Sequence, residues 1–304
     1  MTEEVAYVYA VLRPAEGLDA ALGALTGVAG APVRLVPQGA TDAPVAAVSA
    51  VPAQDFREDA LRRHLEDLTW LEAVARAHHG VIEAAAARTT VLPLRLATVY
   101  LDDDRVAAVL REQADAFSQA LRRLAGRLEW GVKIYVESRA DARGADETVA
   151  AGAAEGVSPG RAYLRARRSQ RHARDESYRA ARQAAERVEA IGRALAADHA
   201  RHRVQQGELA VGGGENVVND AYLLSRETAD DFRSQVLDAV RDLPGVRIDV
   251  TGPWAPYSFT APPDGDPPGG EPPGREPPDG DAPGREPPDG DAPGREPPAA
   301  ERAP

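Results

Sequence analysis

"RLEWGVKIYVES", residues 127–138, is the stretch on which the fold turns. Side chains alternate between faces along a strand. Trp130, Val132, Ile134 and Val136 therefore form one unbroken apolar row, and Glu129, Gly131, Lys133 and Tyr135 share the opposite face. The pattern predicts a half-buried strand with Lys133 pointing out of it. Lys133 is the chain's single lysine, the other 35 of its 36 basic residues being arginine. Glu129 cannot pair with it along the strand, because four residues at about 3.3 Å each separate them by roughly 13 Å. A charge partner has to come from a neighbouring strand, and Asp220 in "VVNDAYLLSR" (217–226) is a candidate. A compact ammonium can lie along Tyr135 and reach one acceptor, whereas a guanidinium favours a bidentate one. An ordinary exposed strand lysine accounts for the residue equally simply.

Outward from this strand, segments of strand and helix alternate. Strands are expected at 5–12, 33–37, 45–51, 91–100, 129–136, 217–226 and 246–251, and helices near 17–25, 55–87, 102–125, 161–206 and 228–242. The pattern implies an α+β fold of two ferredoxin-like, split-βαβ domains. The first covers 1–88. The second covers 89–260 and carries a long helical insertion at about 161–206. In the second half of that helix Tyr178, Ala181, Ala185, Val188, Gly192 or Ile191, Leu195 and His199 recur every three to four residues, a narrow stripe suited to close packing against another helix. Residues 140–160 read as a flexible insertion before it, and "GGGEN" (212–216) as a hinge after it.

From Ala261 the composition changes. "REPPDGDAPG" occurs at 275–284 and again at 285–294, and 15 of the chain's 25 prolines lie between Pro262 and Pro304. Without large apolar side chains to offset ordering entropy, this tail is expected to be disordered. It holds 11 acids and 4 arginines, leaving 37 acids and 32 bases in the body, so the net charge of −12 sits mostly in the tail. Charge alone therefore argues against a dedicated nucleic-acid binder. The absence of cysteine excludes disulfides and thiolate chemistry. No apolar run approaches the roughly 18 residues of a spanning helix, and "MTEEVAYVYAVL" lacks the basic start of a signal peptide. A soluble, cytoplasmic protein is expected.

No catalytic constellation and no cofactor site emerge. His78 and His79 are adjacent, about 100° apart on a helix, and read as structural rather than metal-binding. His199 and His202, three apart on the expected helix, lack a third ligand. Asp102 in "LDDDR" suits an N-cap. "TGPWAPYSF" (251–259) concentrates Trp254, Tyr257 and Phe259, either as a lid folded over the second domain or as an exposed aromatic patch.

"EWGVKIYV" resembles the signature strand of the gas vesicle GvpL/GvpF family. "YVYAVL" (7–12), "LEDLTWLEAVARAHHGVIEA" (65–84), "TVLPLRLATVY" (90–100), "NDAYLLSR" (219–226) and "TGPWAPYSF" resemble further family motifs in the same order, spanning about 5–260. Leu96-Ala97 depart from the family's Phe-Gly. The resemblance implies a non-enzymatic accessory protein of vesicle assembly that binds the small hydrophobic shell protein and other accessory proteins, with no cofactor and no metal. The expected partner surface comprises Lys133 and Tyr135 on the strand, Arg165 and Arg168 on the long helix, and Trp254, Tyr257 and Phe259. The alternative is a module that binds nucleic acid or an acidic partner through the arginine cluster of 161–174. The proline-rich tail would add solubility and reach.

Overall fold

The computed structural model describes residues 3–40, 42–64, 66–137, 159–204 and 214–260. The tail from 261, residues 140–158 of the expected insertion and Gly212–Gly213 lie outside the described residues, as does the side chain of Arg165.

The first sheet is built from β1 (Glu4–Leu12), β2 (Arg34–Pro37), β3 (Val45–Pro52), β4 (Val91–Pro93) and β5 (Val99–Tyr100). Its order is β2-β3-β1-β4, with β5 also paired to β1. The second sheet contains β6 (Arg127–Val136), β7 (Asp198–Arg201), β8 (Glu215–Ser225) and β9 (Val246–Trp254), in the order β7-β8-β6-β9. Both orders place the first strand of the sheet between its third and fourth. All the pairings are antiparallel. The result is a mixed α+β architecture.

Helices cover the sheets in layers. On one face of the first sheet lie α1 (Leu18–Gly23) and α4 (Leu68–Ala86), with α2 (Ala53–Phe56) and α3 (Glu58–His64) leading into α4. Tyr7, Tyr9, Ala10 and Leu12 of β1 meet Leu18, Leu22, Val81 and Ile82 there. On the other face Ala6, Val8 and Val11 meet α5 (Asp103–Glu112) and α6 (Ala114–Leu124) through Val106, Leu110, Phe117 and Leu121. The same two helices also touch Ala221 and Leu223 of β8, so they are the layer shared by both sheets. The far face of the second sheet is covered by α7 (Pro159–Leu195) and α8 (Ala229–Asp238). Burial on both faces explains why β1 is apolar along its length instead of alternating. Each large side chain sealed into these layers contributes about 1.5–3 kcal/mol.

Local signals set the helix starts. Asp67 caps α4 by accepting from the Thr69 and Trp70 amides, and Asp102 caps α5 by accepting from Arg105 N–H. Asp103, in the first turn of α5, receives both ends of the Arg34 guanidinium at 3.0 and 2.6 Å, tying α5 to β2.

Two expectations are corrected. The strand expected at 91–100 to open the second domain pairs instead with β1, as β4 and β5. The helix expected to run to Gln206 stops at Leu195, and residues 198–201 form β7. Tertiary pairing overrides helix propensity here: Ala197 N–H donates to Leu223 O and His202 N–H to Asn219 O, each at 2.8 Å. Of the expected stripe, Ala181, Val188 and Gly192 are buried and Tyr178, Ala185 and Leu195 half-buried on α7, packed on α8 as expected and also on the second sheet, whereas His199 lies on β7.

Between β4 and β5 the chain turns through Ala97 at φ 63°, a left-handed conformation. Its amide donates to the Tyr7 hydroxyl at 3.1 Å, which fixes the turn. An L-residue pays about 1–2 kcal/mol there, partly offset by the greater unfolded-state entropy of glycine. Ala97→Gly is expected to stabilise the fold by about 1 kcal/mol and to raise Tm by a few degrees in a thermal melt; a lower Tm would contradict this.

Candidate partner-binding surface

The second sheet presents the alternation of β6 as the sequence predicts. Trp130, Val132, Ile134 and Val136 are buried against α7 and α8. On the opposite face the strand divides. Around Ala221 and Leu223 the face is covered by α6 and Phe259. Further along β6 it becomes polar, and Lys133 stands half-buried between Asn219 of β8 and Asp249 of β9.

Asp220, the expected partner of Lys133, is opposite Val132 and so faces the other way. It is buried, and it pairs with His199 at 3.1 Å and Arg201 at 3.5 Å, both on β7. β8 is apolar on both faces around "AYLL", so its alternation could not reveal which way Asp220 points. Asn219, which flanks Lys133, was missed for the same reason, and Asp249, on its other side, because the pairing of β9 with β6 is a long-range contact. Tyr135 is buried rather than exposed, with the Arg247 guanidinium 4.0 Å above its ring and held by Asp249 at 2.5 Å.

The aromatic segment after β9 divides as well. Gly252 has φ 132°, and a Cβ there would lie 2.9 Å from Glu129 O and 3.1 Å from the Trp130 ring, so only glycine allows this turn. Beyond it the chain forms a strap across the body. Glu129 accepts from Ser258 N–H at 2.8 Å and Ser258 Oγ at 2.6 Å, and His202 shares a hydrogen bond with the same hydroxyl at 2.9 Å. Burial raises the Glu129 pKa, and the two Ser258 hydrogen bonds oppose that shift. Arg123 donates to Phe259 O. Phe259 enters the central layer, and the Tyr257 hydroxyl bonds His79 Nδ1 at 3.0 Å. Burial raises the Tyr257 pKa. Trp254 alone stays 40% exposed, beside His79 at a centroid distance of 5.7 Å.

Of the expected surface, Lys133 and Tyr135 therefore share one sheet face, Trp254 and Tyr257 gather at His79, and Phe259 is core. Arg168 is exposed on the N-terminal half of α7. His199 and His202 lie on and just after β7 and bind Asp220 and Ser258 respectively, so they share no ligand. Among the described residues no group of three or more His, Asp or Glu could hold a metal ion. No helix of the described residues is long and apolar enough to cross a membrane.

The β9 edge went unnoticed in the sequence. Among the described residues no strand pairs with β9 on the side away from β6. Glu137 N–H donates to Gly245 O at 3.0 Å, so by the alternation of an antiparallel ladder Arg247 and Asp249 bond to β6. The amides of Val246, Ile248 and Val250 then point to the open side.

Comparison with known proteins adds the following. The family model described as "Gas vesicle synthesis protein GvpL/GvpF" matches residues 5–261. The chain is 44% identical over 265 residues to gas vesicle protein L of Streptomyces sp. (strain CB03234), covering 85% of this chain and 93% of that one. It is 30% identical over 258 residues to gas vesicle protein F of the same organism, covering 83% and 98%. Among solved structures it resembles gas vesicle protein GvpF from Anabaena sp. PCC7120, with a TM-score of 0.54 at 21% identity over 84% of this chain and 95% of that one. GvpF from Microcystis aeruginosa gives a TM-score of 0.54 at 18% identity over 84% and 98%. At these identities the two structures speak for the fold alone.

Proposed function

The chain belongs to the gas vesicle synthesis protein GvpL/GvpF family, and from that premise we propose that it binds the small hydrophobic shell protein, together with other accessory proteins, while the vesicle wall is assembled. In this reading the chain works in the cytoplasm and at the gas vesicle, and its role is non-catalytic. It acts by covering an aggregation-prone surface until that surface reaches its place in the wall.

The observation that carries the reading is the edge of β9. A strand whose amides and carbonyls are open on one side is a template for another extended chain. β9 is nine residues long, whereas the other edge strands have four (β2 and β7), three (β4) and two (β5). Backbone pairing would supply affinity with little demand on sequence, which suits a hydrophobic client. Lys133, Asp249 and Arg247 on one face and Trp254 at the strand's end would border the bound chain. The exposed, arginine-bearing half of α7 would extend the surface to acidic partners.

The shared strand order of the two sheets supports two ferredoxin-like halves. We place the division after β5 rather than at residue 88, with α5 and α6 between the halves.

The test is co-expression of the shell protein with this chain, with the Val250→Pro variant, and alone. Proline at 250 removes an outward amide and keeps the ladder to β6, a placement that edge strands tolerate. The unaltered chain is expected to keep the shell protein in the clarified lysate and to co-purify with it. Val250→Pro is expected to lose most of that yield, with its Tm within roughly 5 °C of the parent. Equal precipitation of the shell protein with and without the chain would count against direct binding.

A further inference from the structure

A cleft of about 230 Å³ opens where the C-terminal end of α4 meets the start of β6. Arg88, Arg127 and Arg226 line it, above a floor formed by Leu124, Leu128 and Pro256. These arginines are far apart in sequence and reach one place only through the fold, so nothing local announces them. No aspartate or glutamate lines the cleft. Arg127 is anchored, donating through Nη1 to the Arg123 carbonyl. Arg88 and Arg226 are exposed and make no ion pair among the described residues. Some other surface arginines are matched to acids, as in Arg34–Asp103 and Arg187–Asp242. Three guanidiniums gathered without a counter-charge on a body that is otherwise slightly acidic form a local positive site.

We propose that this cleft docks an acidic segment of a partner protein, seating one apolar side chain on the floor while flanking carboxylates engage Arg88 and Arg226. Charge complementarity selects the acid, since guanidinium pairs with carboxylate in a planar, two-bond geometry. Size selects a side chain rather than a cofactor, because small-molecule sites generally enclose about 300–1,000 Å³. The apolar floor gives no advantage to a nucleic-acid backbone, which would be satisfied by the arginines alone. The cleft is separate from the β9 edge, so the proposal stands whether or not that edge receives the shell protein.

The experiment uses the full chain and a fluorescein-labelled Glu-Glu-Leu-Glu-Glu peptide, read by anisotropy at roughly 50 mM salt. The expected result is saturable binding that weakens as salt rises. Binding should weaken about tenfold or more in the double variant R88E/R226E, and severalfold when the peptide's leucine is replaced by glycine. R168E/R171E, remote on α7, should bind as the parent does, and all variants should share its circular dichroism and melt. Binding that does not saturate by about 1 mM, or that is unchanged in R88E/R226E, would overturn the proposal. So would a single-stranded DNA 20-mer that displaces the peptide and binds more tightly through the same arginines, because that result would assign the cleft to nucleic acid.

Discussion

Gly192→Val is expected to destabilise the protein by roughly 3 kcal/mol, lowering Tm by on the order of 10 °C. Gly192 lies on α7 where the helix crosses Tyr222 of β8. A Cβ at this position would sit 2.2 Å from Tyr222 Cε1 and 2.7 Å from Cδ1. The ring cannot retreat. It is 1% exposed, stacked on His199 at 4.8 Å on one side and against Phe232 at 5.0 Å on another. Any larger residue must therefore lift α7 from the sheet and disturb Ala184 and Val188, which are sealed beside it. Gly192→Ala makes the sharper test, because helix propensity and packing predict opposite signs. Propensity alone would stabilise α7 by about 1 kcal/mol, whereas the overlap with a fixed aromatic ring is expected to cost more than that. A rise in Tm for Gly192→Ala would mean that α7 lies farther from the sheet than described.

The second large effect is on pH. His78 is 4% exposed on α4, bonded through Nδ1 to the Tyr7 hydroxyl at 2.9 Å and close to the Tyr9 ring. Burial lowers its pKa from 6.5 to about 4; a hydrogen bond to the Leu94 backbone opposes the shift, and neighbouring His79 adds to it. The folded imidazole thus stays neutral while the unfolded one takes up a proton from about pH 6.5 downward. The unfolded state binds more protons in that window, so stability falls as pH drops from 6.5 to 4 and levels off below. The full loss is about 3 kcal/mol at 1.36 kcal/mol per pH unit. Glu129 works in the opposite direction. Its raised folded pKa contributes stability at low pH that is lost as pH rises through that pKa. Urea melts from pH 7.5 to 4 on the parent and on His78→Gln separate the two. The variant should be less stable at neutral pH but should lose most of the acid dependence between 6.5 and 4. An equally steep decline in both proteins would assign the acid sensitivity elsewhere.

How far the sequence discloses this structure depends on where each contact is made. β6 was readable because one face is buried and the other half-open, and period-2 alternation reports that asymmetry directly. The caps at Asp67 and Asp102 and the structural role of His78 depend on neighbours in the chain or on simple helix geometry, and Asp102 and His78 were recognised. β7 was not readable, because "DHAR" becomes a strand only through pairing with Leu223 to Asp220. The membership of β4 and β5 in the first sheet is likewise a long-range choice that local sequence does not encode. Within one aromatic segment, Phe259 is core and Trp254 is exposed, a difference set by Arg123, Glu129 and His202 and not by composition. The unpaired edge of β9 and the arginine cleft are properties of assembled elements, visible only once the strand order is known.

The most direct measurement of the central claim is residue-resolved amide hydrogen exchange on this chain, alone and in complex with the shell protein. If the client pairs with the edge of β9, the outward amides of Val246, Ile248 and Val250 should slow strongly on binding, while the ladder amides of Arg247 and Asp249 change little. If the shell protein co-purifies and those three amides exchange as fast as in the free chain, docking on the β9 edge is wrong and the client is held by another surface.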